Sequence, residues 1–319
     1  MNIDLSICIP TMNRPDYLLE ALMSIINQEQ INISVEVCIS NNASEADYTR
    51  VEHLINDQSY NSITINYYIQ ESRLSLDEHM HYVSKMAVGE YIYYLGDDDY
   101  FHVDAFVIIS DLIARKKVDL AIFNGDTVNS EGALLGRCFN DSAKSYKQIN
   151  EAFTDLKGKS TFGAVLVKRK YIENIYFEGL YGGSHAYTCF WVPMLNNMGC
   201  NYNIVVPEEP VVFLRKSEKS YNFVKVYYTD IPNHHIKFKA LLNTEFAKNL
   251  IDERSQIILN ETKSIRFKVT LLRKGTYYSE LPSDCFQNQL VNIISCLLAM
   301  NVIYKPLKYI NKLFNVRGN

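Results

Sequence analysis

Three consecutive aspartates, Asp97, Asp98 and Asp99, follow the apolar segment 90–95. Adjacent carboxylates repel each other, so the triplet costs stability unless its charge is compensated. A divalent cation would compensate it, because Mg²⁺ and Mn²⁺ prefer carboxylate oxygens as ligands. Such an ion, shared with a diphosphate, would neutralise the charge that develops on a leaving nucleoside diphosphate. A solvated acidic turn is the alternative interpretation, because aspartate is common in turns.

Polar residues also follow three other apolar segments. They are Thr11, Asn13 and Arg14 after Pro10 at the end of the first, Asn41 and Asn42 after the second, and Arg73 after the third. Hydroxyl, amide and guanidinium groups suit a nucleotide, although an exposed arginine needs no function to explain it. Together with the aspartates, these groups predict a binding crevice.

The elements that must position these residues alternate between strand and helix. Strands are predicted over 5–10, 34–40, 63–69, 90–95 and 118–123, and helices after Pro15, near 46–57, over 75–89 and over 103–115. This alternation predicts an α/β, Rossmann-like, mostly parallel sheet with helices on both faces. Ligands bind such sheets beyond the carboxyl ends of the strands, where the polar residues lie. Further on, a strand over 161–169, a helix over 187–199, a proline-split strand pair over 203–215 and helices over 233–259 are predicted.

Composition indicates an ordinary globular protein of 319 residues, 47% hydrophobic and 21% charged. The net charge of -4 argues against a general nucleic-acid binder. Seven cysteines without metal-ligand spacing, and an amino terminus without a signal-peptide pattern, favour a reducing, cytoplasmic location.

Three motifs resemble those of family-2 glycosyltransferases with the GT-A fold. They are SICIPTMNRPDYLLEALMSIINQ, VCISNNAS and AVGEYIYYLGDDDYF, in the order and approximate spacing of the family. The resemblance covers about residues 4–125. Bacterial O-antigen and capsule sugar transferases, the abequosyltransferase-like group, are the most similar members.

The resemblance implies a role for each matched position. Pro10, Thr11 and Asn13 would lie along the base and ribose, and Asn42 would pair with the base beside Asn41. Asp98 would contact the ribose or diphosphate, and Asp99 would be the main metal ligand of a DxD motif that begins at Asp97. Asp77 matches another aspartate of the family and would belong to the donor-binding loop. Arg215 would lie on a loop over the diphosphate, with exposed surface charge as the alternative. Three positions depart from the pattern: Asn42 replaces an acid, Leu74 a glycine and His79 an asparagine.

The catalytic base of an inverting transfer is not evident from a motif. Residues 177–185 contain two candidates: Glu178, as the carboxylate, and His185, whose ordinary pKa lies near neutral pH. A packing or capping histidine is the alternative for His185.

The carboxyl-terminal region is basic and partly apolar. Segment 290–304 is apolar, but a helix of that length spans about 22 Å, less than the roughly 30 Å of a hydrocarbon core. A segment lying in the membrane interface, beside anionic lipid, fits the pattern, and a core or homodimer helix is the alternative.

These observations predict a metal-dependent (Mn²⁺ or Mg²⁺), inverting transfer of sugar from a nucleotide-diphosphate donor, with a pyrimidine base favoured, to a saccharide acceptor that is lipid-linked. Residues 1–125 would bind the nucleotide-sugar, 126–230 would bind the acceptor, and 231–319 would form a helical, basic region on the cytoplasmic face of the inner membrane. The alternatives are a sugar-nucleotide nucleotidyltransferase and a non-catalytic carbohydrate-binding module.

Overall fold

The computed structural model describes residues 2–29, 32–56, 63–115, 117–138, 143–156, 158, 161–216 and 223–273. The strands are β1 (Leu5–Thr11), β2 (Val35–Asn41), β3 (Ile63–Ile69), β4 (Tyr91–Tyr94), β5 (Tyr100–Phe101), β6 (Leu120–Ile122), β7 (Gly125–Asn129), β8 (Leu134–Arg137), β9 (Lys144–Tyr146), β10 (Val165–Lys168), β11 (Ile204–Val206) and β12 (Val212–Lys216). The α-helices are α1 (Pro15–Ile26), α2 (Thr49–Asn56), α3 (Leu76–Met86), α4 (Ala105–Ala114), α5 (Ile149–Leu156), α6 (Trp191–Asn196), α7 (Phe223–Lys225), α8 (Ile231–Ala240), α9 (Glu245–Lys263) and α10 (Ile265–Arg273). Short 3₁₀ turns lie at Arg169–Tyr171, Phe177–Leu180 and Ala186–Thr188, and a π-helical turn, Val226–Asp230, joins α7 to α8.

The main sheet has the strand order β3-β2-β1-β4-β10-β6-β11-β9. Its first four strands are parallel, and β10 enters antiparallel between β4 and β6. The register pairs Thr11 with Asn41 and Cys8 with Tyr94, so the polar ends of β1 and β2 are adjacent and β4 ends beside β1. The sheet therefore brings the polar segments after β1, β2 and β4 to one edge.

A smaller sheet has the order β5-β12-β7-β8. Strand β5 begins immediately after Asp99, and β12 pairs with it through Val212–Phe101 and Phe213–Tyr100. The small sheet therefore lies directly against the aspartate turn.

Helices cover both faces of the main sheet because its buried strands are apolar on both sides. Along β1, Leu5, Ile7 and Ile9 belong to one apolar cluster, which includes α1 and α4, whereas Cys8 belongs to a second cluster with α3, α5, α6 and α9. This alternation follows the two-residue period of a strand. The predicted α/β class, with a mostly parallel sheet, is confirmed.

Several predicted elements differ in detail. Residues 203–215 form two strands, but β11 joins the main sheet and β12 the small one, because Pro207 and Pro210 interrupt the segment between them. The helix predicted over 187–199 is only α6, preceded by a 3₁₀ turn. Within the described residues, no helix is long and apolar enough to cross a membrane. The apolar segment 290–304 lies outside the described residues.

Candidate active site

The turn after β4 places the three aspartates beside β1, with Asp97 and Asp99 buried and Asp98 partly exposed. Asp97 is 8% exposed and Asp99 is 7% exposed. Asp97 Oδ2 accepts hydrogen bonds from Thr11 Oγ1 at 2.9 Å and from the Met12 backbone N–H at 3.4 Å. The carboxylates are therefore not displayed on an open acidic turn; they form part of a packed site with the loop after β1.

Arg14 joins the loop after β1 to two of these aspartates. Its Nη1 lies 2.9 Å from Asp98 Oδ2 and 3.3 Å from Asp97 Oδ1. Burial raises the pKa of Asp97 to about 6, despite the opposing effect of the Arg14 charge. Arg14 pairs with two of the three carboxyl groups, and Arg215 pairs with Glu20, so the turn retains an excess of acidic groups.

Asp99 is positioned by a hydrogen bond from the small sheet and by two glycines that pack against its carboxyl group. Its Oδ1 accepts the Arg215 backbone N–H at 2.9 Å. A Cβ atom on Gly163 would lie 2.5 Å from Asp99 Oδ2, and one on Gly96 would lie 2.6 Å from it, so any side chain there would displace the carboxyl group. Burial, and then the charge of Asp98, raise the pKa of Asp99 well above its usual range.

Arg215 lies in β12 and is not on a loop over the crevice. Its side chain is 3% exposed and stacks over the rings of Tyr17 and Tyr100, with the guanidinium carbon 4.9 and 5.2 Å from their centroids. The guanidinium also contacts Glu20 and donates to the Asp98 carbonyl at 3.0 Å. Arg215 therefore supports the aspartate turn, which corrects the loop position expected from the sequence.

The loops after β1 and β2 are tied together by Asn13 and Tyr48. Asn13 adopts a positive φ of 58°, and its Oδ1 accepts the backbone N–H groups of Glu45 at 2.8 Å and Ala46 at 3.2 Å. Tyr48 Oη lies 2.9 Å from Thr11 Oγ1 and accepts the Arg14 backbone N–H at 3.1 Å. Pro10 is buried within β1. Sequence reasoning missed Tyr48, because a tyrosine before a helix gives no signal of such a contact.

The two asparagines at the end of β2 are buried, and their side chains form hydrogen bonds with other residues of the protein. Asn42 donates to the Leu74 carbonyl at 3.0 Å and accepts the Leu74 backbone N–H at 2.8 Å. Asn41 donates to Tyr67 Oη at 2.8 Å and accepts the Ser44 N–H at 3.1 Å. The Asn42 amide, expected to pair with a nucleotide base, thus holds the loop that precedes α3.

Arg73 lies at the exposed rim of the crevice. Its Nη2 lies 3.0 Å from Glu45 Oε1, and the arginine side chain is 52% exposed. The structure therefore connects Arg73 to the loop after β2 and not to the aspartate turn.

Asp77 connects α3 to the segment that contains His185. Its Oδ2 accepts the backbone N–H groups of Gly183 at 2.9 Å and Ser184 at 2.8 Å, and its Oδ1 accepts that of Ala186 at 3.1 Å. The carboxylate is 2% exposed. Hydrogen bonds to a charged acceptor are stronger than neutral ones, so Asp77 fixes this segment firmly.

The two candidate bases have different surroundings. Glu178 lies in the 3₁₀ turn Phe177–Leu180 with its side chain 48% exposed, 3.9 Å from His81. His185 Nδ1 donates to the Gly183 carbonyl at 2.8 Å, which leaves the lone pair on Nε2. His185 shares a cavity with Thr161, and Gly163, two residues further along the chain, packs against Asp99.

The donor set suits a divalent cation shared with a ligand. Among the described residues, no group of three or more His, Cys, Asp or Glu side chains is arranged to hold a metal ion alone. Asp99 Oδ2 has no hydrogen-bond donor among those residues, while Arg14 engages Asp97 Oδ1. Mg²⁺ typically takes one or two carboxylates, with phosphate oxygens and water completing its shell. Asp97 and Asp99 can provide the two carboxylates of such a site.

Comparisons with known proteins find glycosyltransferases. The glycosyl transferase family 2 model matches residues 6–175. Abequosyltransferase RfbV of Salmonella typhimurium is 26% identical over 300 residues, covering 89% of this chain and 85% of that protein. The uncharacterized glycosyltransferase MG060 of Mycoplasma genitalium is 29% identical over 122 residues, 38% of this chain and 40% of that protein.

Solved structures show the same fold. S. aureus TarS 1–349 in complex with UDP-GlcNAc superimposes with a TM-score of 0.63 at 16% identity, covering 92% of this chain and 79% of that one. The family model spans more than half of the chain. The family match supports sugar transfer and not the two alternatives, a nucleotidyltransferase and a non-catalytic binding module. The chain therefore belongs to glycosyl transferase family 2, and it is a sugar-transferring enzyme with the GT-A fold.

Proposed function

We propose that this enzyme transfers a sugar, with inversion and with Mn²⁺ or Mg²⁺, from a pyrimidine nucleotide-diphosphate donor to a saccharide acceptor. The observation that carries the proposal is the Asp97–Asp99 turn, packed against Thr11 and Arg14 at the carboxyl ends of β1 and β4. The solved complexes of TarS with UDP and with UDP-GlcNAc support a uridine-type donor. In this proposal, Pro10, Asn13 and Asn41 shape the wall for the base and ribose.

Asp97 and Asp99 would hold the metal ion, and Asp98 would face the ribose or diphosphate. When bound, the ion neutralises negative charge on the leaving diphosphate. Arg14, on the loop after β1, would also stabilise the negative charge on the diphosphate, because its guanidinium already lies against this turn. Burial disfavours ionised Asp97 and Asp99, so a cation beside them would also favour their charged forms.

His185 would act as the general base. Its Nδ1–H is committed to the Gly183 carbonyl, so Nε2 can accept the proton of the acceptor hydroxyl. The hydroxyl oxygen then forms a bond to the anomeric carbon as the carbon–oxygen bond to the diphosphate breaks on the opposite face. Asp77 positions His185 through the backbone of residues 183–186. Glu178 is the alternative base.

The acceptor would be a lipid-linked saccharide of surface-polysaccharide synthesis, reached at the cytoplasmic face of the inner membrane. The 26% identity to an abequosyltransferase over most of the chain supports a surface-saccharide acceptor. Lys263 and Arg266, which are both exposed, would face anionic lipid, with a homodimer contact as the alternative.

The decisive experiment measures nucleoside diphosphate release with and without Mn²⁺ in the full chain and in Asp99→Asn. We expect release to require the metal, and the variant to lose about 10²-fold or more, as removal of one stabilising group from an active site typically does. The matched control is Asp16→Asn, because the Asp16 side chain is 85% exposed. Equal release without metal, or an unaffected Asp99→Asn variant, would overturn the metal assignment.

A donor screen tests the nucleotide. A ligand that binds only the folded state raises the melting temperature. UDP, CDP, dTDP and GDP sugars are compared in the presence of Mn²⁺, and stabilisation by a pyrimidine nucleotide is expected. A response to GDP sugars alone would refute the pyrimidine preference.

A further inference from the structure

The side chain of Tyr48 reaches the candidate active site from α2, although the proposed reaction gives it no role. Tyr48 immediately precedes α2, and its ring belongs to the apolar cluster that also contains Leu18, Ile39 and Val51. The residue is 5% exposed. A buried tyrosine combines an apolar ring with a hydroxyl that needs a hydrogen-bond partner. The ring of Tyr48 is therefore packed, and its hydroxyl is available for a polar contact at the ends of β1 and β2.

Three groups surround the Tyr48 hydroxyl. Its Oη accepts the Arg14 backbone N–H at 3.1 Å and lies 2.9 Å from Thr11 Oγ1. Ser44 Oγ donates to it from a longer distance, 3.4 Å. A phenol hydroxyl has a single proton to donate. Because the Arg14 and Ser44 groups are donors to Oη, that proton is available for Thr11.

The carboxylate of Asp97 determines the direction of the bond between the two hydroxyls. Thr11 Oγ1 lies 2.9 Å from Asp97 Oδ2. An ionised carboxylate can only accept, so the single hydroxyl proton of Thr11 is donated to Asp97. Thr11 Oγ1 must therefore accept from Tyr48 Oη–H. The hydrogen bonds thus run in one direction, from the Arg14 backbone N–H through two hydroxyls to Asp97 Oδ2.

Arg14 is connected to both oxygens of Asp97. Its guanidinium lies 3.3 Å from Oδ1, and its backbone N–H is linked to Oδ2 through the hydroxyls of Tyr48 and Thr11. Oδ2 also accepts the Met12 backbone N–H at 3.4 Å. Hydrogen bonds in such a chain polarise and strengthen one another. The donors from β1 and the loop after it therefore hold Oδ2, whereas Oδ1 makes the longer contact with the Arg14 guanidinium.

We propose that Tyr48 is a positioning residue for Asp97 and that it presents Asp97 Oδ1 to the cation. The Tyr48 hydroxyl commits the Thr11 proton to Oδ2, which holds the carboxylate in one rotation. Mg²⁺ demands near-ideal octahedral geometry, so the rotation of a carboxylate ligand affects its affinity. The inference rests on the proposed function, because that function makes Asp97 a metal ligand.

Removal of one oxygen atom tests this role. Tyr48→Phe keeps the buried ring and deletes the hydroxyl. Thermal unfolding of the full chain is followed at fixed UDP while Mn²⁺ is varied, and the measured quantity is the Mn²⁺ concentration that gives half of the maximal rise in melting temperature. We expect this concentration to increase about tenfold in Tyr48→Phe, because loss of a group that orients a metal ligand typically lowers metal affinity by about 10- to 100-fold.

The matched control is Tyr176→Phe, which removes the same oxygen from a tyrosine that is 66% exposed. Its Mn²⁺ dependence should equal that of the unmodified protein. The melting temperature without UDP and Mn²⁺ is recorded for every variant, so that a loss of stability is measured separately from a loss of metal affinity. An unchanged Mn²⁺ dependence in Tyr48→Phe would overturn the proposal.

A double-mutant cycle shows whether Tyr48 acts through Thr11. Thr11→Val removes the hydroxyl that links Tyr48 to Asp97 and keeps a side chain of similar shape. Residues of one hydrogen-bond network give non-additive effects. We therefore expect Tyr48→Phe to change the Mn²⁺ dependence about tenfold in the unmodified background, but by less than about twofold in Thr11→Val. A merely structural role of Tyr48 would give the same factor in both backgrounds, which would contradict the proposal.

The unmodified protein separates this inference from the proposed function. If Mn²⁺ with UDP stabilises it and Tyr48→Phe responds at the same Mn²⁺ concentration, the positioning role is rejected and the proposed function stands. If Mn²⁺ adds no stabilisation to that given by UDP in the unmodified protein, the metal assignment of the proposed function is rejected, and the role of Tyr48 with it.

Discussion

The carboxylate of Asp77 accepts a hydrogen bond of 2.8 Å from the backbone N–H of Ser184, although 107 residues separate them in the sequence. The same carboxylate receives the N–H groups of Gly183 and Ala186. A residue near the donor-side loops therefore fixes the segment that carries His185. Resemblance to the family suggested a role for Asp77 in the donor loop, whereas its contacts indicate that it connects the two sides of the crevice.

Replacing Asp77 tests this connection. In Asp77→Asn the charge is lost and one amide oxygen must replace two carboxylate oxygens, so His185 should shift. We expect turnover to fall about 10²-fold, the cost of a displacement near 1 Å, while the Kd for nucleotide stays within about twofold. Steady-state kinetics and nucleotide titration measure the two effects. The control is Glu71→Gln, an exposed acid. An equal loss of nucleotide affinity would place Asp77 in the donor site.

The two glycines Gly163 and Gly182 form a matched pair for testing the contact with Asp99. Both have positive φ, 91° and 85°, so alanine strains the backbone similarly. A Cβ on Gly163 would lie 2.5 Å from Asp99 Oδ2, whereas one on Gly182 would meet nothing within 4 Å. We expect backbone strain to cost each variant about 1–2 kcal/mol of stability. Gly163→Ala should lose more, because its Cβ would also lie 2.9 Å from Leu214 Cδ2, and only this variant should lose metal-dependent activity. Activity loss of equal size in both variants would contradict a specific effect of the Asp99 contact.

Restoring the acid of the family at position 42 should destabilise this protein. In Asn42→Asp the donor to the Leu74 carbonyl, now at 3.0 Å, is replaced by a carboxylate oxygen that repels it. We expect the free energy of unfolding to fall by about 1–3 kcal/mol, the cost of a lost buried hydrogen bond. Denaturant unfolding measures the change, with the exposed Asn27→Asp as its control. A stability equal to that of the unmodified protein would show that the Leu74 contact is dispensable.

His79 should make stability sensitive to acid. Its Nε2 donates to the Ser40 carbonyl at 2.9 Å, and burial lowers its pKa from 6.5 to about 4. Between these pH values the unfolded state binds a proton that the folded state does not, so stability is present above about pH 6.5 and is lost as the pH falls toward 4. One proton corresponds to about 1.4 kcal/mol per pH unit.

The measurement is unfolding free energy against pH in the unmodified protein and in His79→Gln. The variant should show a shallower fall between pH 6.5 and 4, by a slope of about one proton. His53→Gln, on an exposed position, should follow the unmodified protein. Parallel curves for the unmodified protein and His79→Gln would contradict the neutral, buried state of His79.

The parts of the fold that the sequence predicted are those with strong apolar patterns. β1, β2 and β4 are buried along their whole length, and each ends in polar residues, so both the strands and the crevice were recognisable. The small sheet was not predicted, because β8 is largely exposed and β5 has only two residues. Short, exposed strands carry little periodic signal.

Side-chain partners in the site were less predictable, because they depend on contacts between distant segments. Asn42 was matched to a base-pairing position, yet only the path of the loop at Leu74 decides where its amide points. The family resemblance implied that Arg215 lies on a loop over the diphosphate, but it lies in β12 with its guanidinium over the rings of Tyr17 and Tyr100. Gly163 did carry a signal, since an isolated glycine beside a strand indicates a close approach of the backbone.

The pairing of β12 with β5 has a consequence for biogenesis. The Arg215 amide reaches Asp99 across 116 positions of the sequence, so a nascent chain that has emerged only as far as β10 lacks the partner of this carboxyl group. Contacts between segments so far apart form late, because closing a long loop costs entropy before any contact rewards it. Strands β1 to β4 can thus pair early during translation, whereas Asp99 gains its backbone donor only after residue 215 has left the ribosome.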